Sequence, residues 1–80
     1  MQTREEHMIW CKKRATAEYD FYFPRDGAAA ASRNARASIL SDLGKHPETK
    51  GLQGIAGMLI FAEMNKTSRE EVQRFVDGFN

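Results

Sequence analysis

His7 and Cys11 lie four residues apart, so on a helix an imidazole and a thiol would share one face. That is the spacing of half a metal site, or of a thiol with a nearby base. A structural zinc site would need two more soft or imidazole ligands, and His46 is the only other histidine. Cys11 with His7 or His46 can be drawn as a nucleophilic dyad. The simpler reading is a buried Cys11 acting as a small apolar group beside a surface His7. Glu70 and Glu71 form a carboxylate pair, but they stand where a helix begins, and negative charge there offsets the helix dipole. Gly51, Gly54 and Gly57 do not form a phosphate loop, because they sit inside an apolar run rather than between a strand and a helix. The expectation is a protein that is not an enzyme, with no catalytic residue, metal ligand or cofactor assigned.

Binding is the alternative to chemistry, and two sets of residues offer it. Tyr19, Phe21, Tyr22 and Phe23 place four aromatics in five positions. Successive helical residues turn by about 100°, so one core face cannot take all four. With Arg25, Arg33 and Arg36 they form the expected partner-binding surface, since aromatics beside arginine are typical of interface hot spots. The second set is Lys12, Lys13, Arg14, Arg33 and Arg36, which makes the first half basic and raises nucleic-acid association as the alternative function. Glu18, Asp20, Asp26 and Asp42 are interleaved with these cations, and the net charge is only +1. A base-reading helix must present polar side chains, and Ile55 to Ala62 presents none.

The elements that must position these residues are helical. Thr3-Arg4-Glu5-Glu6 is a capping-box pattern, and Met8, Cys11, Ala15, Tyr19 and Tyr22 follow at spacings of three and four, up to a stop at Phe23-Pro24. Pro24 to Gly27 is turn chemistry. Ala28, Ala31, Ala35, Ile39 and Leu43 mark a second helix, closed by Gly44 in the expected C′ position, with His46 to Lys50 as a linker. Gly51 to Ala62 is nearly uncharged and predicts a third helix ending near Asn65, apolar almost all round and therefore buried. Gly54 and Gly57 would each cost it about 1 kcal/mol relative to alanine, so they read as points of close approach by a neighbour. Thr67 and Ser68 begin overlapping capping boxes for a fourth helix, with Val72, Phe75, Val76 and Phe79 on one face and Gly78 as its C-cap. The expected fold is all-α: one four-helix domain over residues 1–80, with a glycine-bearing buried third helix.

Trp10-Cys11-Lys12-Lys13-Arg14-Ala15, then Ser41 to Thr49 with its His46-Pro47-Glu48-Thr49 linker, then Phe75-Val76-Asp77-Gly78-Phe79-Asn80, resemble a family of short bacteriophage-encoded proteins. The likeness keeps its order over most of the chain and departs from Asp20 to Ala31. It implies a phage origin and carries over no catalytic residues. Small accessory phage proteins act by stoichiometric binding, so the resemblance implies a host protein or host-defence complex as partner, as for an anti-CRISPR-like inhibitor.

Size and composition bound the rest. At 80 residues, with 41% hydrophobic and 29% charged residues, the chain has enough apolar content to fold but sits near the lower limit for an independent domain, so a homodimer is among the expected states. One cysteine forms no internal disulfide, and no cationic leader opens the sequence; the expected setting is the cytoplasm of a bacterial host. The apolar run of about a dozen residues falls short of the ~20 that span a bilayer, so no membrane span is expected.

Overall fold

The computed structural model describes residues 2–79, and among them it is all-α, with no strand. Three helices, α1 (Arg4–Leu43), α2 (Gln53–Ala62) and α3 (Arg69–Asp77), are joined by irregular segments and one 3₁₀ turn, Lys50–Leu52. The expected first and second helices are two arms of α1, so three helices stand where four were expected. A straight helix of 40 residues would be about 60 Å long, whereas the longest dimension of the molecule is 35 Å. The chain folds back at Gly27, whose φ of 88° and ψ of 175° lie in a region essentially closed to L side chains. Pro24 does not end the first arm, which continues to Asp26. Proline there forgoes only the bond to the carbonyl four residues back, on an exposed stretch where water can replace it.

The Thr3 hydroxyl accepts from the Glu6 N–H while the Glu6 carboxylate accepts from the Thr3 N–H, and Ser68 with Glu71 repeats this at the start of α3. These bonds hold both carboxyls below their ordinary range: for Glu6 the Thr3 backbone N–H is the larger cause, for Glu71 the Ser68 side chain. Met8, Cys11, Ala15 and Tyr19 of the first arm face Ala31, Ala35, Ile39 and Leu43 of the second, and all eight are buried. Val72, Phe75, Val76 and Phe79 close this cluster from α3. Alanines at the centre let the arms approach closely, and each fully buried Leu, Ile, Val or Phe contributes about 1.5–3 kcal/mol.

The buried third helix is the expectation the structure overturns. Of α2 only Ala56 is buried, with Ile60 half-buried against the core. Ile55, Met58, Leu59 and Phe61 are 56%, 74%, 41% and 78% exposed. A Cβ built on Gly51, Gly54 or Gly57 meets no atom within 4 Å, so nothing in the protomer uses the volume these glycines leave open. The two arms and α3 have already enclosed the core, and a ten-residue helix laid along one side offers it a single narrow stripe. Gly44 stops the helix as expected, but in the right-handed region, φ −74°, and not as a left-handed C′ residue. Its missing side chain matters because a Cβ there would collide with the Gln53 amide, which donates to the Leu40 carbonyl at 2.9 Å and ties α2 to α1. No helix of the described residues is long and apolar enough to cross a membrane.

Candidate protein-binding site

The aromatic corner lies near the bend, at the end of the first arm. Helical rotation distributes its four rings as the spacing requires. Tyr19 points inward: it is 2% exposed, and its hydroxyl donates to the Thr67 carbonyl at 2.8 Å, tying the first arm to the entrance of α3. Burial raises its phenol pKa. Phe23 stacks on it at 5.8 Å between centroids and is half exposed. Phe21 and Tyr22 meet edge to face at 5.0 Å, and the Arg25 guanidinium lies 5.3 Å from the centre of the Phe21 ring. At 56% and 50% exposure, Phe21 and Phe23 present apolar surface that the fold does not need.

Two shallow grooves flank the corner. One of about 430 Å³ is lined by Arg14, Ala17, Glu18, Phe21 and Tyr22. The other, about 460 Å³, is lined by Tyr19, Asp20, Phe23, Ala28, Ser68 and Arg69. Arg69 forms one wall, donating through Nε to Asp20 Oδ1 at 2.9 Å with its guanidinium 5.9 Å from the Tyr19 centroid. The hydrogen bond to Asp20 is the main cause that raises its pKa. No known protein family, curated protein or solved structure matches the chain. What the corner can do rests on its geometry: it can take up apolar or aromatic side chains beside fixed positive charge.

Tyr19 and Arg36 of the expected partner surface are buried and offer no exposed anchor, though Tyr19 still lines one groove. Arg36 is 3% exposed: Nε donates to Ser32 Oγ at 3.0 Å, Nη2 to the Lys66 carbonyl at 2.6 Å, and the guanidinium lies 4.5 Å from the centre of the Phe75 ring. Nη1 makes no hydrogen bond and faces Glu63 at 3.8 Å. Burial lowers its pKa, against the opposing pull of Glu63 and Glu71. It fastens α2 and α3 to α1 and is closed to a partner. Arg33 is exposed but lines a different cavity, of about 300 Å³, with Arg36, Ile60 and Met64. Phe21 stays beside Tyr22 and Arg25, while Phe23, about 200° further round the helix, stacks on Tyr19 in the other groove.

The basic set does not converge either. Lys12, Lys13 and Arg14 are consecutive, so they radiate about 100° apart around the first arm. Arg14 is committed to Asp42, Nε to Oδ2 at 2.7 Å, and Arg36 is enclosed.

His7 and Cys11 do share a face, yet what they build is structural. His7 is buried, not on the surface. Its Nε2 donates to the Asp42 carbonyl at 2.8 Å, and its ring lies 5.3 Å from Trp10 and 5.2 Å from His46. Asp42, 1% exposed, also accepts from Lys45 Nζ at 2.9 Å, and Arg14 and Lys45 both lie over Trp10. The His46 to Lys50 linker is ordered by its own side chains. His46 Nε2 donates to the Gln2 carbonyl at 2.9 Å while Nδ1 accepts from the Glu48 N–H at 3.0 Å, and the fully buried Thr49 hydroxyl donates to the Leu43 carbonyl at 2.6 Å. The motif around Trp10 and the one from Ser41 to Thr49 therefore meet and lock the open end of the two arms. Cys11 beneath them is fully buried, and burial first, then the Asp42 charge, raises its thiol pKa to about 11. A thiol that stays protonated and out of reach is a poor nucleophile. Among the described residues no group of three or more histidine, cysteine or acidic side chains is placed to hold a metal ion.

Proposed function

We propose that the protein is a small non-enzymatic accessory protein of phage type that acts in a bacterial cytoplasm by binding a host protein or host-defence complex, as an anti-CRISPR-like inhibitor would. The observation that carries this reading is the aromatic corner. Phe21 and Phe23 are half exposed on a rigid helical arm, with Arg25 over one ring and a groove on either side. Large rings held in place lose little entropy on binding, which is why such clusters become hot spots. The grooves are shallow, and they suit side chains of a protein partner better than a small substrate enclosed on most sides.

The test uses wild type, Phe21→Ala, Phe23→Ala and Arg25→Ala against a panel of purified host machines, CRISPR effectors among them. The expected result is stoichiometric binding by wild type that each substitution weakens by about 1–3 kcal/mol, roughly 5- to 150-fold, with helical circular dichroism unchanged. A captured partner that the three variants bind as tightly as wild type does would remove the corner from the function.

A further inference from the structure

We propose that the solvent face of α2 is a self-association surface on which a second copy of this chain docks, helix against helix, about a twofold axis near Met58. The face is anomalous for a protomer that keeps it in water. Ile55, Met58, Leu59 and Phe61 are between 41% and 78% exposed. At about 200 Å² per fully exposed large side chain they leave on the order of 500 Å² of apolar surface, in the upper part of the range for a soluble monomer. Two copies meeting here would bury on the order of 1,000 Å², the area at which a weak specific interface begins.

The glycines point the same way. A helix of ten residues is marginal without packing, and Gly54 and Gly57 weaken it by about 1 kcal/mol each, yet no atom of the protomer occupies the space beside them. A backbone brought in by a second helix would use that space. On the wheel, Gly54, Met58 and Ala62 form an i, i+4 ridge through the middle of the exposed face. An antiparallel copy centred on Met58 sets Gly54 against Ala62, where the backbones can close up, and Ile55 against Phe61 beside them. Each pair occurs twice, as an isologous contact requires. The groove between Leu40 of α1 and Gly54, Gly57, Met58 and Phe61 of α2, about 580 Å³, gives the Ile55 side chain of the other copy, which meets Phe61 there, a seat. A second copy suits this face better than a charged partner: Gly51 to Ala62 contains no ionisable residue, so the face meets itself without burying a charge, and copies of net charge +1 barely repel.

Sedimentation equilibrium of the full chain from about 1 μM to 1 mM, the range in which contacts of modest area associate, tests this. Wild type should reach twice the 9.1 kDa of one chain. Gly54→Leu has room in the protomer and should keep the helical spectrum while losing the dimer, and Met58→Asp should do the same. A wild type that stays at one chain mass throughout overturns the proposal, as does a Gly54→Leu protein that dimerises like wild type. Wild type that remains monomeric and instead co-sediments with phosphatidylcholine–phosphatidylglycerol vesicles assigns the face to a lipid surface and also overturns it.

Discussion

Gly27 is the position at which one substitution should cost the most for the fewest atoms. Its φ of 88° with ψ of 175° is a conformation that L residues enter at a cost of about 1–3 kcal/mol. No atom lies within 4 Å of a Cβ built there, so the penalty of Gly27→Ala is purely one of backbone conformation. Alanine also restricts the unfolded chain, which returns about 0.4–1 kcal/mol. The net is a loss of about 1–2 kcal/mol. In a domain of this size that lowers the midpoint of thermal unfolding by about 4–16 °C, read by circular dichroism at 222 nm. D-alanine, introduced by chemical synthesis, separates conformation from side-chain effects. Its favoured region is the mirror image of that for L-alanine and includes φ near +88° with extended ψ, so it should melt at or above wild type. If L-alanine matches wild type, or if the two enantiomers melt together, the chain does not reverse through this conformation and the arms of α1 are joined in another way.

Other parts of the reading can be tested as directly. Arg36→Ala removes two hydrogen bonds, the stack on Phe75 and a buried ion-pair partner, and should destabilise the fold by about 2–4 kcal/mol; a melting point like that of wild type would mean that Arg36 is free for a partner after all. Cys11 should react with iodoacetamide at pH 8 only as fast as the protein unfolds, and prompt labelling of the native state would contradict its burial. Its raised pKa also fixes a sign. The folded thiol keeps a proton that the unfolded chain releases near the ordinary thiol value, so stability should fall as the pH climbs from that value toward 11; Cys11→Ser should lose that part of the dependence in urea titrations at successive pH values.

Gly57→Leu separates the two readings of α2. A buried third helix predicts collapse of the domain. With open space beside Gly57, the protomer should keep its melting behaviour, and any effect should fall on association.

The sequence by itself determined the all-α class, the capping box at Thr3 and the core stripes of α1 and α3, and it offered two overlapping boxes at Thr67 and Ser68, of which Ser68 forms the cap. Each of these is set within a few residues: a capping hydroxyl and its carboxylate are three positions apart, and Val72, Phe75, Val76 and Phe79 define a face through the helical period alone. Hydropathy also marked Gly51 to Ala62 as avoiding water. It could not say what covers that run, because this depends on how much core the other helices leave unfilled.

Only the tertiary structure decided which of the candidate residues are enclosed and which face water. Arg14 reaches Asp42 across 28 positions and Tyr19 reaches Thr67 across 48. No local pattern encodes those pairings, so a buried hub at Asp42 and the enclosure of Tyr19 and Arg36 were invisible in the chain. The aromatic corner was legible as a cluster, since five consecutive positions cannot share one face. Which rings face out was settled by where the entrance of α3 packs on the first arm, with Tyr19 bonded to the Thr67 carbonyl. The same packing left the most apolar helix of the chain facing water.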